Sequence, residues 1–337
     1  MKAVAYRHSH PSDHDEALLD LDLPEPGPPR GHDLLVEVRA VSVNPVDAKV
    51  RKRTDPAGEP KVLGYDASGV VRAVGPDARL FRPGQEVYYA GDVSRPGTNA
   101  ALHLVDERIA GPKPRTLSHA EAAALPLTAI TAWEALFDRL RVARDTRPTG
   151  EAVLITGGAG GVGSIAIQLA RRLTGMRVVA TASRPETRAW CEELGAHDVL
   201  DHSRDLAPQA KALGVPVTKV FSVTASDRHW DAICDLLAPF GAVCLIDDPE
   251  PVDVRKLKWK CGSLHWELMF ARPLHKAADL EEQHRLLAEV SRMVDAGELR
   301  TTVGEHLGPI NAANLRRAHA VVEAGTARGK IVLEGWA

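Results

Sequence analysis

Cysteine is scarce in this sequence. Four cysteines occur among 337 residues, and no two of them form a C-x-x-C pair. This scarcity argues against a framework of disulfides and against a zinc site built from four thiolates. It is also typical of proteins from a reducing compartment, so we expect a cytoplasmic protein.

An excess of charge of either sign is also missing. The chain has 42 lysines and arginines against 45 aspartates and glutamates, which leaves a net charge of −3. Nucleic acid is not an expected partner, because phosphate binding usually leaves a basic footprint. No apolar run approaches the roughly 20 residues that cross a bilayer, and the N-terminal segment lacks the apolar stretch of a signal peptide. No membrane partner is therefore predicted.

The apolar content is sufficient for a packed interior. Hydrophobic residues make up 44% of the chain, and a chain of this length predicts about two domains at roughly 150 residues each. Residues 1–110 contain short apolar runs separated by turns rich in proline and glycine, such as 24–29 and 82–85. Strands of this length and spacing predict a barrel or a sandwich.

Near residue 117 the pattern becomes helical. Ser118 and Glu121 have the spacing of a capping box, and residues 131–140 are predicted as a further helix. From residue 152 strands alternate with helices, which predicts a parallel sheet covered on both faces. The predicted strands are 152–156, 177–182, 198–200, 217–223, 242–246 and 262–264, and the predicted helices are 162–174, 185–194, 204–212 and 227–237. Helices at 280–296 and 312–324 and a strand at 330–333 follow.

A glycine-rich turn is the strongest local motif. Gly158, Gly160 and Gly163 satisfy G-x-G-x-x-G between a β-branched strand and an amphipathic helix, the context that dinucleotide binding requires. Glycine lets the backbone approach a pyrophosphate, and the helix start at Gly161 and Val162 offers free amides. The alternative is a turn whose glycines serve only the close packing of helix on strand. We predict a dinucleotide site.

The residues after the second of these strands indicate which dinucleotide is bound. An NAD-selective site usually places an acidic residue there, about 20 positions after the glycines, to bind the ribose 2′-hydroxyl. This chain has Ser183 and Arg184 instead, with Arg188 one turn into the next helix. A hydroxyl and guanidinium groups suit a 2′-phosphate, so NADP(H) is the predicted cofactor. Ser183 can also be the cap of the helix that starts at Pro185.

Further motifs occur in a fixed order along almost the whole chain. They are NPVD (44–47), LGYDASGVV (63–71), RPGQEV (82–87), LPLTAITAW (125–133), GGAGGVG (157–163) and GKIVL (329–333). Together they resemble the medium-chain dehydrogenase/reductase superfamily, and within it the zinc-free quinone oxidoreductases. The segments ATASRPET (180–187) and LHWELMFAR (264–272) resemble bacterial proteins often labelled zinc-type alcohol dehydrogenase-like.

The resemblance implies a fold and a domain organisation. The fold is α/β, with a GroES-like β-rich catalytic domain and a doubly wound parallel Rossmann domain. Residues 1–122 would form the first part of the catalytic domain, and residues 123–270 the NADP-binding domain. Residues 271–337 would return to complete the catalytic domain.

The resemblance also bears on metal binding. Zinc-dependent relatives bring a cysteine and a His-Glu pair to the metal, and the matching positions here are Asn44 and Tyr65-Asp66. Asparagine and tyrosine are poor zinc ligands beside thiolate and imidazole, so no catalytic or structural zinc is predicted. Three N-terminal histidines (His8, His10 and His14) are expected on a surface loop without a native metal.

Four polar residues of the first domain are the predicted catalytic groups, because in resembling enzymes their loops face the nicotinamide. Asn44 can donate an N–H to the substrate oxygen. Lys49 can hold developing negative charge, and Asp47 can orient Lys49. Tyr65 can donate or relay a proton. The alternative for residues 44–47 is an ordinary turn in which Asn and Asp satisfy local amides.

Four further residues are predicted to contact the cofactor. Thr131 is expected near the nicotinamide carboxamide, and Lys330 is a candidate contact of a phosphate. Thr224 follows one parallel strand and Asp247 follows the next, at the edge of the sheet where ligands gather.

The predicted function is NADPH-dependent reduction of a quinone or an α,β-unsaturated carbonyl by zinc-free hydride transfer to a small molecule. Such acceptors are already activated, so a metal electrophile is dispensable. Two alternatives stay open: an enoyl-thioester or haloacrylate-type reductase on the same scaffold, and a non-catalytic, crystallin-like NADPH-binding protein. The resemblance also implies a homodimer formed by edge pairing near residues 262–266.

Overall fold

The structure is a computed structural model and describes residues 1–337. The chain divides into two compact units, one formed by Met1–Ile130 with Phe270–Ala337 and the other by Thr131–Met269. The first boundary therefore follows Ile130 rather than residue 122, and the second precedes Phe270. No helix combines the length and the apolar character that crossing a membrane requires.

The first segment is rich in strands, as its short apolar runs predict. Its elements are β1 (Lys2–Tyr6), β2 (Leu19–Asp22), β3 (Asp33–Val43), α1 (Pro45–Arg53), β4 (Lys61–Val62), β5 (Ala67–Val74), β6 (Glu86–Tyr89), β7 (Leu102–Asp106), β8 (Ala110–Pro112), α2 (His119–Ala123) and α3 (Pro126–Trp133). Helix α2 begins with the predicted capping box, because Ser118 and Glu121 each accept the other's backbone N–H.

The predicted helix at 131–140 is only partly correct. Helix α3 starts at Pro126, five residues earlier, and ends at Trp133. Residues Glu134–Arg139 then form a π-helical turn. Proline is well tolerated at the first position of a helix, which is where Pro126 stands in α3.

The middle segment alternates strand and helix. Its elements are β9 (Ala152–Ile155), α4 (Gly161–Leu173), β10 (Arg177–Thr181), α5 (Pro185–Glu193), β11 (Asp198–Leu200), α6 (Leu206–Ala212), β12 (Val217–Ser222), α7 (Ser226–Leu236), β13 (Leu237–Leu245) and β14 (Ser263–Trp266). The last segment adds α8 (Ala271–Leu274), α9 (Glu282–Asp295), β15 (Val303–His306), α10 (Ala312–Glu323) and β16 (Lys330–Glu334).

The middle segment forms one sheet of six parallel strands in the order β11-β10-β9-β12-β13-β14. This is the order of a doubly wound fold. From β9 to β11 the chain adds strands toward one edge of the sheet, and from β12 to β14 it adds them toward the other edge. The strand interiors are apolar and fully buried, as in Val153, Leu154, Val179 and Val243. Sheets with both faces covered need such runs, which confirms the predicted fold class.

The other unit holds a three-stranded sheet (β2-β1-β4) and a seven-stranded sheet in which β15, β16, β3, β5, β6 and β8 follow one another and β7 pairs with β3. Strand β16 pairs with β3 from Val43 to Ala40, so residues near the end of the chain lie beside residues 40–43. The C-terminal segment thus completes the β-rich unit.

Candidate active site

The glycine-rich turn lies between β9 and α4 of the parallel sheet, where the motif predicts it. A Cβ added to Gly163 would lie 2.4 Å from the Gly157 carbonyl oxygen, so this glycine is required by backbone packing. Gly158 is also enclosed, with Ala180 and Cys191 less than 3.0 Å from a Cβ there. These two glycines serve the fold itself.

Gly160 differs from these two glycines. The nearest atom to an added Cβ is the Gly157 oxygen at 3.4 Å, and its φ of −75° is accessible to any residue. Local packing therefore does not require glycine at this position. No side chain caps α4, so the amides of the half-buried Gly161 and Val162 have no side-chain acceptor at this helix N-terminus. An open glycine beside uncapped amides fits the pyrophosphate of a dinucleotide.

The predicted 2′-phosphate residues stand at the carboxyl end of β10. Ser183 does not cap α5, since Arg184 is the N-cap residue, and the Ser183 hydroxyl makes no hydrogen bond within the chain. The Arg184 side chain is half-exposed, with Nε 3.2 Å from a Glu186 oxygen. Arg188 donates back to the Ala182 carbonyl at 3.4 Å. A hydroxyl and two guanidinium groups are thus gathered at one strand end.

The other predicted cofactor residues have varied surroundings. Thr224 is exposed just after β12, and its Cγ2 would lie 2.9 Å from a Cβ at Gly157, so it borders the glycine-rich turn. Both carboxylate oxygens of Asp247 accept from Ser226, through its N–H and its hydroxyl, and so hold the start of α7. Thr131 is buried within α3.

Lys330 is not placed as a phosphate contact. Its ammonium is buried and donates to three oxygens: Val43 O at 2.9 Å, Asn44 Oδ1 at 2.5 Å and Asp66 Oδ2 at 3.1 Å. All three of its protons are thereby used. The side chain is a counter-ion inside the β-rich unit, which corrects the expectation from sequence.

Asp66 is the acceptor on which this cluster converges. Its Oδ2 also accepts from Ser42 Oγ at 2.9 Å and Asn44 Nδ2 at 2.8 Å, and its Oδ1 accepts the Leu127 N–H at 2.8 Å. Burial raises the pKa of the Asp66 carboxyl, and the Lys330 ammonium opposes that rise. We name Asp66, Lys330, Asn44 and Ser42 the buried ion-pair cluster.

Asn44 was expected to donate to the substrate, and the structure corrects this expectation. It is 1% exposed. One Nδ2 proton goes to Asp66 and the other to the Tyr65 carbonyl at 3.4 Å, while Oδ1 accepts from Lys330. Its amide therefore has no donor left for a ligand. Residues 44–47 are also not a loop, because Asn44 is the N-cap of α1 and Pro45 its first residue.

Asp47 does not orient Lys49 either. Its Oδ2 accepts the Asn44 N–H at 2.6 Å and its Oδ1 the Gly64 N–H at 3.0 Å. Burial raises the pKa of Asp47 to about 7, against the lowering effect of these two hydrogen bonds and of Lys330. Asp47 thus joins the start of α1 to the segment before Tyr65, while Lys49 is half-buried on the same helix.

Tyr65 keeps the character that its predicted role needs. The residue is 1% exposed, and its ring packs edge-on against Phe270 with centroids 5.3 Å apart. Its hydroxyl has no hydrogen-bond partner within the chain. Burial, followed by the charge of Asp47, raises the pKa of the phenol, so it holds its proton at neutral pH. Of the four predicted catalytic side chains, Tyr65 is the one that offers an unused O–H.

Asp66 and Ser42 were missed as members of this site. A signal for Asp66 was present, since it is the one charge within LGYDASGVV, residues 63–71. An isolated carboxylate in such a run needs a buried cation. Nothing local identifies that cation, because Lys330 is 264 positions away.

The metal-ligand positions of the zinc-dependent relatives hold no set of zinc donors here. Asn44 has its amide paired, Tyr65 is a protonated phenol, and Asp66 already holds the cation Lys330. Elsewhere, His10, His14 and Glu16 have ligand atoms within 4.8 Å of one another on the N-terminal loop. The structure thus brings two of the three N-terminal histidines together at the surface.

Comparisons with known proteins address the same two units. Residues 30–115 match the alcohol dehydrogenase GroES-like domain, and residues 161–257 match the zinc-binding dehydrogenase family. A zinc-type alcohol dehydrogenase-like protein of Staphylococcus aureus is 40% identical over 308 residues, covering 90% of this chain and 91% of that protein. The chain belongs to the medium-chain dehydrogenase/reductase superfamily.

Solved structures agree with this membership. A Rhizobium etli protein, provisionally described as a zinc-dependent alcohol dehydrogenase, is 59% identical with a TM-score of 0.96, covering 100% of this chain and 98% of that one. The quinone oxidoreductase of Coxiella burnetii is 27% identical with a TM-score of 0.79, covering 99% of each chain. A mycobacterial protein complexed with NADPH is 28% identical with a TM-score of 0.85, covering 99% of this chain and 100% of that one. These likenesses support an oxidoreductase that uses a nicotinamide cofactor.

Gly163, which packing requires, and Gly160, which it does not, allow a matched test in this medium-chain dehydrogenase/reductase. Gly163→Ala forces a Cβ against backbone and is expected to lower the thermal unfolding midpoint by several degrees. Gly160→Ala meets no such clash and is expected to lower that midpoint much less, by the small cost of alanine at an N-cap, while weakening NADPH binding about tenfold or more. Fluorescence titration measures the binding. Wild-type affinity in Gly160→Ala would mean that the motif serves packing alone.

The buried ion-pair cluster predicts a large cost for losing its cation. Lys330→Met leaves the Asp66 carboxylate buried and unpaired, so we expect about 3–5 kcal/mol of destabilisation in urea unfolding. Lys52→Met is the control, because Lys52 pairs with Glu323 at 3.1 Å while half-exposed, and its loss should cost at most about 1 kcal/mol. Equal effects of the two variants would contradict the role assigned to Lys330.

Proposed function

We propose that this chain is an NADPH-dependent reductase of quinones or α,β-unsaturated carbonyls that works without zinc. The observation that carries the proposal is the buried ion-pair cluster. Where zinc-dependent relatives hold a metal, Asp66 is engaged by the Lys330 ammonium at 3.1 Å and by Asn44 at 2.8 Å. A substrate carbonyl beside the cluster would receive no Lewis-acid activation from it, because the Lys330 protons are all used. This favours acceptors that are already electron-poor.

The preference for NADPH rests on the end of β10. No carboxylate follows that strand at the position that would accept the ribose 2′-hydroxyl. Ser183 has an unused hydroxyl, and Arg184 and Arg188 place positive charge nearby. Charge-assisted hydrogen bonds to a 2′-phosphate are favourable in this setting. When bound, NADPH supplies the hydride.

The protein's part in the reaction is to hold the acceptor and its proton. The Tyr65 hydroxyl donates a hydrogen bond to the acceptor oxygen, where negative charge develops as the hydride arrives. In an enone the new C–H bond forms at the β-carbon, and a proton from Tyr65 or water then neutralises the enolate. In a quinone the proton goes to one carbonyl oxygen and the hydrogen delivered as hydride ends on the other, so that the two O–H groups of the hydroquinone are both accounted for. Asp47 positions the segment of Tyr65 through the Gly64 N–H.

The test is NADPH oxidation with 1,4-naphthoquinone, 2-cyclohexenone and crotonyl-CoA. We expect turnover of the first two, and a fall in kcat of about a hundredfold in Tyr65→Phe, which keeps the ring packing and removes the O–H. Turnover of crotonyl-CoA alone would favour the enoyl-thioester alternative. Tight NADPH binding without any turnover would favour a non-catalytic protein. One tightly held zinc per chain in elemental analysis would overturn the metal-free mechanism.

A homodimer through the outer strand of the parallel sheet is also proposed. Strand β14 pairs only with β13, and its edge carries Trp266 at 55% exposure, with Leu268 close by at 55%. Unpaired edges with exposed apolar side chains readily pair with a second chain.

Sedimentation is expected to give twice the chain mass of 36.3 kDa, and Trp266→Lys is expected to shift the protein toward monomer. A monomeric wild-type protein would contradict this proposal.

A further inference from the structure

Two histidines lie at the carboxyl edge of the parallel sheet, outside every motif recognised in the sequence. His202 follows β11, and its Nδ1 lies 3.2 Å from Thr181 Oγ1 at the end of β10. The same Thr181 oxygen accepts the Gly157 N–H at 3.0 Å. The His202 ring is therefore fixed to the glycine-rich turn through one hydroxyl.

This anchoring determines what His202 presents to a ligand. Because Thr181 Oγ1 already accepts from Gly157, its own proton is available to His202 Nδ1. The neutral ring then carries its hydrogen on Nε2. In the protonated ring Nδ1–H donates instead to the second lone pair of the same Thr181 oxygen, so the anchor is kept. Nε2 has no hydrogen-bond partner within the chain, and the residue is only half-buried. A ring with one nitrogen anchored and the other unused is suited to binding a ligand.

His229, on α7, completes the arrangement. Its ring centroid lies 6.2 Å from that of His202, and its ring nitrogens make no hydrogen bond within the chain. Arg228 acts electrostatically on both rings and Arg184 on His202. We name His202, His229 and Arg184 the basic cluster.

Burial, together with nearby positive charges, favours the neutral forms of the two rings when no anion is bound. Burial is the largest cause that lowers the pKa of His202; Arg228 and Arg184 lower it further, and Asp201 opposes them. Burial also lowers the pKa of His229, as do His202 and Arg228, against Asp227. An anion placed between the rings would favour the protonated forms and so reverse this effect.

We propose that His202 and His229 bind the 2′-phosphate of NADPH in their protonated forms, so that the preference for NADPH over NADH rises as the pH falls from 8 to 6.5. The inference rests on the proposed use of NADPH. It adds two histidines to the residues that bind the 2′-phosphate, and it adds the uptake of protons on binding. A phosphate monoester carries between about 1.5 and 2 negative charges in this range, since its second pKa is about 6. The unused Ser183 hydroxyl and the Arg184 guanidinium lie at the end of β10, the strand that carries Thr181.

The test uses the stable oxidised cofactors, with Kd values of NADP+ and NAD+ measured by calorimetry at pH 8.0 and pH 6.5. In the wild type, NADP+ is expected to bind about five- to tenfold more tightly at pH 6.5, with proton uptake, because binding raises the histidine pKa values. The Kd of NAD+ should not change.

His202→Asn is the decisive variant, because its amide can keep the contact with Thr181 while Nε2 is removed. NADP+ affinity should fall about fivefold at pH 6.5 and less than twofold at pH 8.0. Arg184→Ala should weaken NADP+ at both pH values, since a guanidinium is always charged. His197→Asn is the matched control and should behave as the wild type: His197 lies at the other end of β11 and accepts the Val178 N–H at 2.9 Å.

The outcomes separate the two proposals. If the wild type binds NADP+ and NAD+ equally at both pH values, the proposed use of NADPH fails and this inference fails with it. If the wild type prefers NADP+ but His202→Asn keeps the full pH dependence, only the role of the histidines fails. An equal loss of both cofactors in His202→Asn at both pH values would show contact with the adenine instead, which also overturns the inference.

Discussion

The contact between Asp66 and Lys330 is the interaction on which the β-rich unit depends. A carboxylate with no exposed surface is tolerated only when its charge is balanced and its oxygens are filled. This condition is met only when β3, α3 and β16 all pack around Asp66, because they supply Ser42, Leu127 and Lys330. Because moving any one partner away would leave the Asp66 charge unbalanced, the same demand that makes the cluster costly to bury also fixes the positions of its members.

This arrangement also explains how one fold can host different chemistry. The buried ion-pair cluster puts the positive charge of Lys330 beside an acidic residue, Asp66, at a position that the resemblance matches to the metal ligands of zinc-dependent relatives. The ammonium, however, has its three protons committed to Val43, Asn44 and Asp66. It stabilises the protein but has no open coordination position for a substrate. In the proposed reaction the chemistry therefore falls to groups such as the Tyr65 hydroxyl.

Much of the parallel sheet could be predicted, and parts of the site could not. Strands such as Asp198–Leu200 agree with the prediction because a short apolar run between polar turn residues carries the whole signal locally. Residues 44–47 were harder, since Asn before Pro suits a turn and a helix start equally well. Lys330 stands beside a glycine like an exposed turn residue, and its burial depends on a carboxylate far away in sequence. His202 belongs to no motif, so only the neighbourhood of β10 and β11 reveals it.

The separation of 264 positions between Asp66 and Lys330 has a consequence for how the chain is made. A ribosome delivers the carboxylate long before its cation, with the whole dinucleotide-binding unit synthesised in between. Packing the early strands around Asp66 during that interval is unfavourable, because it would bury the carboxyl without its cation. The inserted unit, built from contacts between neighbouring segments, is free to fold first. We therefore expect the β-rich unit to be completed last, after Lys330 has been synthesised.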